Sequence, residues 1–317
     1  MELAGGQGRR DFLRRAAAGA LAVGLAPDAL HPTTAAAEPA TQPQSDPLPQ
    51  ITIAGVRIPR MVVGCNPIGG WSHQVQALTN AMLDYFTLER TIEFLRRCES
   101  VGLDVWVSYW DDKPRQALRR LWSQGSKLRT YLPGNLTEDG KLSKDVLELN
   151  PVFYIHHGNV TDNLFREGKQ EVVHDFVKRV HDEMGIPAGI SAHNPDCIRY
   201  AEEKGWEADL YQLCLYYLTR PKEQIRAKLG SAMLGESFLE GDRDEALKVI
   251  REVSKPCLAF KILGAGWHCS SPESVEEAFR IALTGIKKTD GIIVGMWPKF
   301  KDEIAMNLQL LRKYGTT

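Results

Sequence analysis

Histidines recur at the ends of short apolar runs in this chain. Val152-Phe153-Tyr154-Ile155 runs straight into His156 and His157, Ala188-Gly189-Ile190-Ser191 is followed by His193, and His73 stands a few residues beyond the run Met61 to Cys65. One more run, Cys257 to Ile262, carries Lys261 near its end. Imidazoles and an amine suit general acid/base chemistry: a histidine moves a proton while the lysine steadies negative charge developing on a carbonyl or enolate oxygen. Two or three imidazoles around an open water position suit a divalent metal instead, although no carboxylate stands at any of these run ends. A desolvated lysine also admits Schiff-base chemistry. The candidate catalytic residues are therefore His156, His157, His193 and Lys261. Asn66, Trp71, His73, Trp110, Asn135, Cys214, Tyr216 and Trp297 are the candidate substrate contacts, the aromatic ones offering flat apolar faces on which sugar rings can stack.

These residues converge only if the elements bearing them share one rim. Strand-like runs alternate with helical stripes along the chain. Thr87 caps a helix with Leu88, Ile92, Leu95 and Cys98 on one face, closed by Gly102. Val105 to Val107 is the next strand, and a helix through Ala117, Leu118 and Leu121 leads to a third at Thr130 to Leu132, expected to break at Pro133. After the fourth strand, Val173, Phe176, Val177, Val180 and Met184 form an amphipathic helix ended by Gly185. Asn194 and Pro195 begin the helix after strand five. Strand six covers 209–215, strand seven 257–262 and strand eight 291–294; a short hairpin at 51–58 precedes them all. Eight such repeats predict a closed (β/α)8 TIM barrel, because an open parallel sheet of that width would expose its edges. Chemistry in that architecture sits at the strand C-termini. Only one of His156 and His157 can line the interior, since neighbouring strand residues face opposite ways.

Composition supports this reading. The 317 residues carry 39 Lys and Arg against 40 Asp and Glu, a net charge of -1. That balance offers no electrostatic footprint for nucleic acid and makes a small molecule the expected partner. The six cysteines have no framework spacing and are expected in the core. Arg9-Arg10-Asp11-Phe12-Leu13-Arg14, the apolar run 16–26 and Ala35-Ala36-Ala37 resemble a twin-arginine signal peptide over 1–37, followed by a spacer over 38–50 and one barrel domain over 51–317. The expectation is recognition by the twin-arginine export machinery, a periplasmic or extracellular location, and no stable membrane insertion after cleavage.

The order of motifs resembles the aldo-keto reductase superfamily over nearly the whole mature chain. Gly64-Cys65-Asn66-Pro67-Ile68-Gly69-Gly70-Trp71 is similar to its first-strand turn, and Tyr154-Ile155-His156-His157 to its fourth strand with the catalytic histidine. Gly189-Ile190-Ser191 with Tyr211-Gln212 is similar to the segments that hold a nicotinamide carboxamide, and Ile292 to Met296, with Glu303 and Asn307 downstream, to the adenosine-side loop. If a nucleotide is bound, the resemblance implies Ser191, Gln212, Gly295, Met296 and Lys299 as cofactor contacts, with NAD(P) as the cofactor. The family's tetrad is not kept. Its Asp position falls on Val107, its Lys near Leu132 or Pro133, and its Tyr on Asp112 unless Tyr109 or Trp110 substitutes. Asp104 has the right spacing to Tyr109 but precedes the apolar run. Ala192 replaces the Asn expected after Ser191, and the stacking Tyr falls on Leu215, one place from Tyr216.

A reductase needs a phenol whose pKa a nearby lysine lowers, so the leading expectation is acid/base chemistry without hydride transfer on a hydroxyl- or carbonyl-bearing carbohydrate derivative: elimination, isomerisation or hydrolysis. The alternatives are an NAD(P)-dependent oxidoreductase using Tyr109 and Lys261 as a displaced pair, a metal-dependent hydrolase or lyase, and a non-catalytic binding protein.

Overall fold

The computed structural model describes residues 47–316. The expected twin-arginine leader therefore lies outside the described residues, as does most of the expected spacer. Leu48 is already buried, and the antiparallel hairpin β1 (Gln50–Ile53) and β2 (Val56–Pro59) begins one residue earlier than expected. Ala54 and Gly55 turn the hairpin, both at positive φ.

Eight parallel strands then close on themselves: β3 (Met61–Val63), β4 (Val105–Val107), β5 (Arg129–Gly134), β6 (Pro151–His156), β7 (Ala188–Ala192), β8 (Leu210–Cys214), β9 (Cys257–Phe260) and β10 (Gly291–Val294), with β10 pairing back to β3. Between and after them lie α1 (Asn66–Gly69), α2 (Gln76–Tyr85), α3 (Leu88–Ser100), α4 (Asp112–Ser123), α5 (Gly158–Arg166), α6 (Glu171–Arg179), α7 (Pro195–Glu203), α8 (Lys222–Leu229), α9 (Gly241–Glu252), α10 (Pro272–Gly285) and α11 (Glu303–Tyr314). The strands are short and apolar on both faces, as expected where helices cover one side and packed side chains fill the other. Each Leu, Ile or Phe buried there contributes about 2 kcal/mol of transfer free energy.

Local signals act where the sequence places them. Thr87 accepts from Arg90 N to cap α3, Asn194 accepts from Asp196 N to cap α7 with Pro195 in its first turn, and Gly185 closes the helical segment before β7 at φ +66°. Two details differ. Pro133 does not end β5, because its missing N–H leaves the carbonyl side of the ladder intact and pairing continues to Gly134 opposite His156. The helix carrying Val173 to Met184 widens into a π-turn at Val180–Met184. The six cysteines are free, and all but the half-buried Cys269 are buried.

Below the barrel, the buried Arg60 donates to the carbonyls of Asp290 (3.0 Å), Gly315 (2.7 Å), Lys287 (3.1 Å) and Leu283 (3.4 Å), tying the hairpin exit to the last two helices. The opposite end is left to the loops.

Candidate active site

A cavity of about 710 Å³ opens at the C-terminal ends of the strands. His157, His193, Lys261, Tyr109, Asn66, Trp71, His73, Ser191, Gln212 and Trp297 line it, together with Gly295. Of the sequence-derived groups, His73, His157, His193 and Lys261 therefore do meet around one opening.

His193 is the most completely built of these groups. It follows β7 and is 6% exposed. Its Nδ1 donates to Asp162 Oδ2 at 3.0 Å, and Asp162 also accepts the backbone amides of His193 and Asn194 and the Thr219 hydroxyl at 2.8 Å. A carboxylate surrounded by donors accepts, so the imidazole proton sits on Nδ1. Nε2 keeps its lone pair, with no protein partner among the described residues. Burial pulls the His193 pKa below the ordinary imidazole value; Lys261 and His73 add to that, against the opposing pull of Asp162. The ring is a neutral base of fixed tautomer. Gly158 leaves room for it: a Cβ there would lie 3.1 Å from His193 Cε1 and 3.0 Å from Ser191 Oγ.

His157 caps the start of α5, its amide donating to Gly134 O at 2.7 Å. Its Nδ1 is buried without a partner, and burial, followed by the charges of His193 and Lys261, lowers its pKa. Lys261 terminates β9 with φ +58°, a left-handed conformation that costs a non-glycine residue about 1 kcal/mol. That turn leaves Lys261 lining the cavity, its ammonium 5.1 Å from the Phe260 ring centroid and with no carboxylate partner among the described residues.

His73, also at positive φ (+58°), has both nitrogens occupied. Nδ1 donates to Glu236 at 2.9 Å and Nε2 accepts from Asn66 Nδ2 at 2.9 Å. It ties two loops together and is not free to shuttle protons. Burial pushes Glu236 up, but the His73 hydrogen bond and the neighbouring cations hold it below the ordinary carboxylate value. Trp71 packs edge-on against Tyr109 with centroids 4.7 Å apart, giving the mouth an aromatic wall.

Several expected contacts lie outside this cavity. His156 faces outward against Phe176 of α6, with Nδ1 2.7 Å from Thr161 Oγ1, so it is the structural member of the histidine pair. Trp110 is 38% exposed beneath the Arg115 guanidinium. Asn135 is exposed, with its amide on Leu136 O. Tyr216 is buried in the wall, its hydroxyl 2.8 Å from His268 Nε2, and Cys214 lies behind His193, accepting from Tyr216 N. Met296 is buried beside the site, and Lys299 sits over the Trp297 and Phe300 rings. Asp162 and Glu236 are the partners sequence reasoning missed. Asp162 sits within α5 and Glu236 in a long loop, away from any strand end.

Of the segments that the resemblance assigns to a nucleotide, the adenosine-side one lines the cavity. Gly295, Lys301, Glu303 and Asn307 line the cavity beyond β10. At the other end, Tyr131 donates to Gln212 at 2.9 Å and Gln212 to Ser191 at 3.1 Å, so the groups expected to hold a carboxamide hold one another. Burial, then Cys65 and Asp111, raise the Tyr109 phenol, whereas a reductase needs it lowered. Among the described residues, no three His, Cys, Asp or Glu side chains are arranged to hold a metal ion.

No family model matches the chain, and no curated protein matches it. Among solved structures, it is similar to a thermostable aldo-keto reductase solved with the inhibitor epalrestat, at 12% identity over 83% of this chain and 93% of that one, with a TM-score of 0.50. An aldo/keto reductase from Brucella melitensis is similar at 13% identity, over 84% and 99% of the two chains, TM-score 0.43. An N-(5'-phosphoribosyl)anthranilate isomerase from Pyrococcus furiosus is similar at 12% identity, over 70% and 94%, TM-score 0.41. The fold is an aldo-keto-reductase-like (β/α)8 barrel, highly divergent in sequence. Its chemistry has to be read from the site itself.

Proposed function

We propose that the protein is an exported enzyme that transfers a proton on a hydroxyl- or carbonyl-bearing small molecule, with a carbohydrate derivative as the leading substrate class. The observation that carries this reading is the Asp162-oriented His193 in the same cavity as Lys261. His193 Nε2 takes a proton from a substrate C–H or O–H, the imidazolium being steadied by Asp162, and returns it to the leaving or rearranged group. Lys261 faces the oxygen on which negative charge develops. His157, neutral and lining the cavity, supplies a hydrogen bond to a substrate hydroxyl, and the Trp71–Tyr109 wall offers an apolar face to a sugar ring. Elimination, isomerisation and hydrolysis are all compatible with these roles. Screening keto-, deoxy- and glycosidic sugars for conversion, with H193Q and K261M as controls, tests the reading; conversion that survives both substitutions overturns it.

A second reading, an NAD(P)-linked oxidoreductase, is favoured by Gly295, Lys301, Glu303 and Asn307 lining the same cavity. Fluorescence titration with NADH and NADPH separates the two. Micromolar binding supports the oxidoreductase, and none supports the proton-transfer enzyme.

A further inference from the structure

Lys261 brings a positive charge into the main cavity that no carboxylate among the described residues neutralises. Apart from the histidines, the other charged side chains lining that space are Lys301 and Glu303, and these act on one another. The Lys261 ammonium acts on the His157 and His193 rings and on the Cys65 and Cys214 thiols, which places the amine itself, and not only its stem, at the mouth beside the proposed base. Glu236 also feels it, but both Glu236 oxygens are taken by His73 Nδ1 at 2.9 Å. A partly desolvated ammonium with no counter-charge favours an anion from outside the chain. A second positive end adds to it. Helix α5 starts at Gly158 with no side-chain cap and no acid in its first turn, and Gly158, which can line the cavity only with backbone, does so together with Asn159. The partial positive charge of a helix start therefore opens into the same space. His193, nine-tenths buried and with no protein partner on Nε2, borders that start: a Cβ on Gly158 would lie 3.1 Å from its Cε1.

We propose that the main cavity contains a carboxylate subsite, in which the Lys261 ammonium pairs with an acid group of the substrate and the positive end of α5 favours the same charge. The substrate is then a sugar acid rather than a neutral sugar. One singly charged carboxylate matches one ammonium, whereas a phosphate dianion calls for more cationic partners. The sugar half of this assignment rests on the proposed function; the preference for an acid rests on Lys261 and its surroundings alone.

Titration calorimetry of the purified protein tests it, with D-glucuronate, D-galacturonate and D-gluconate each set against the neutral counterpart: glucose, galactose and glucitol. At least one acid should bind about tenfold more tightly than its counterpart, or better. K261M should abolish that advantage, K261R should keep part of it, and H193Q should leave it in place. If K261M does not fold, K261G, which suits the left-handed turn, decides in its stead. The subsite is overturned if no acid binds more tightly than its counterpart, if the advantage persists without the amine, or if glucose 6-phosphate binds more tightly than every acid. Because binding is read and not turnover, the two proposals fail separately. An acid preferred by a protein that exchanges no substrate hydrogen in D2O keeps the subsite and removes the proton-transfer enzyme; exchange with no acid preferred does the reverse.

Discussion

His193 and Asp162 are joined twice: the imidazole Nδ1 and the backbone amide of His193 both donate to the Asp162 carboxylate. The double contact fixes the ring relative to β7 as well as its tautomer. The pair joins two segments, α5 and the end of β7, that are thirty-one residues apart in sequence.

Asp162→Asn replaces an acceptor surrounded by donors with an amide that must turn an NH2 toward some of them. Unfolding by urea is expected to show a loss of about 3 kcal/mol, with turnover falling because His193 loses its fixed tautomer. Wild-type stability in this variant would show that the carboxylate is not the organising acceptor.

Gly158→Ala places a methyl group 3.1 Å from His193 Cε1 while adding helix propensity to the first turn of α5. The two effects on stability, each about 1 kcal/mol and opposite in sign, largely cancel. Activity is expected to fall several-fold or more at nearly unchanged urea midpoint. Equal loss of both would mean a merely structural glycine.

Burial holds His156 neutral with a pKa of about 3, against an ordinary value near 6.5, and the His157 charge adds to the effect. Its folded pKa is depressed, so the unfolded chain binds the proton first. The stabilising contribution is complete above pH 6.5 and is lost progressively as pH falls toward 3. His157 and His193 shift the same way. Denaturant titrations at pH 7, 5.5 and 4.5 should show stability falling through this window, less steeply in His156→Gln. Identical slopes would contradict the assignment.

Arg60 satisfies its donors on backbone carbonyls at the closed end of the barrel, far along the strands from the cavity. Arg60→Met takes the guanidinium donors away from carbonyls at the ends of both last helices, and a loss of about 3 kcal/mol is expected. Turnover of the folded fraction and binding in the cavity should be unchanged, measured below the unfolding midpoint.

The barrel was legible because each short apolar run ends in a recognisable turn or cap. Thr87, Asn194 with Pro195, and Gly185 act where their residue types predict. The candidate site was legible where a cavity-lining side chain sits at a strand end, as with His157, His193, Ser191 and Gln212. It was not legible where function depends on a long-range partner. Asp162 reads as an ordinary polar residue of a helix until α5 packs against β7, and Glu236 belongs to a loop whose path no periodicity records. Position at a strand end also misled: Asn135 and Trp110 turn outward, and Tyr216 folds back onto His268. The left-handed turn at Lys261 has no sequence mark, because lysine seldom adopts it.

The central claim, proton transfer by His193 beside Lys261, is tested most directly by running a panel of keto sugars with the enzyme in D2O and following mass at the carbon next to the carbonyl. Wild type should wash solvent deuterium into at least one of them, and His193→Gln should do so at least a hundredfold more slowly. Deuterium entering equally fast in His193→Gln, or a substrate converted only with oxidation of NADH or NADPH and no deuterium uptake, would contradict it.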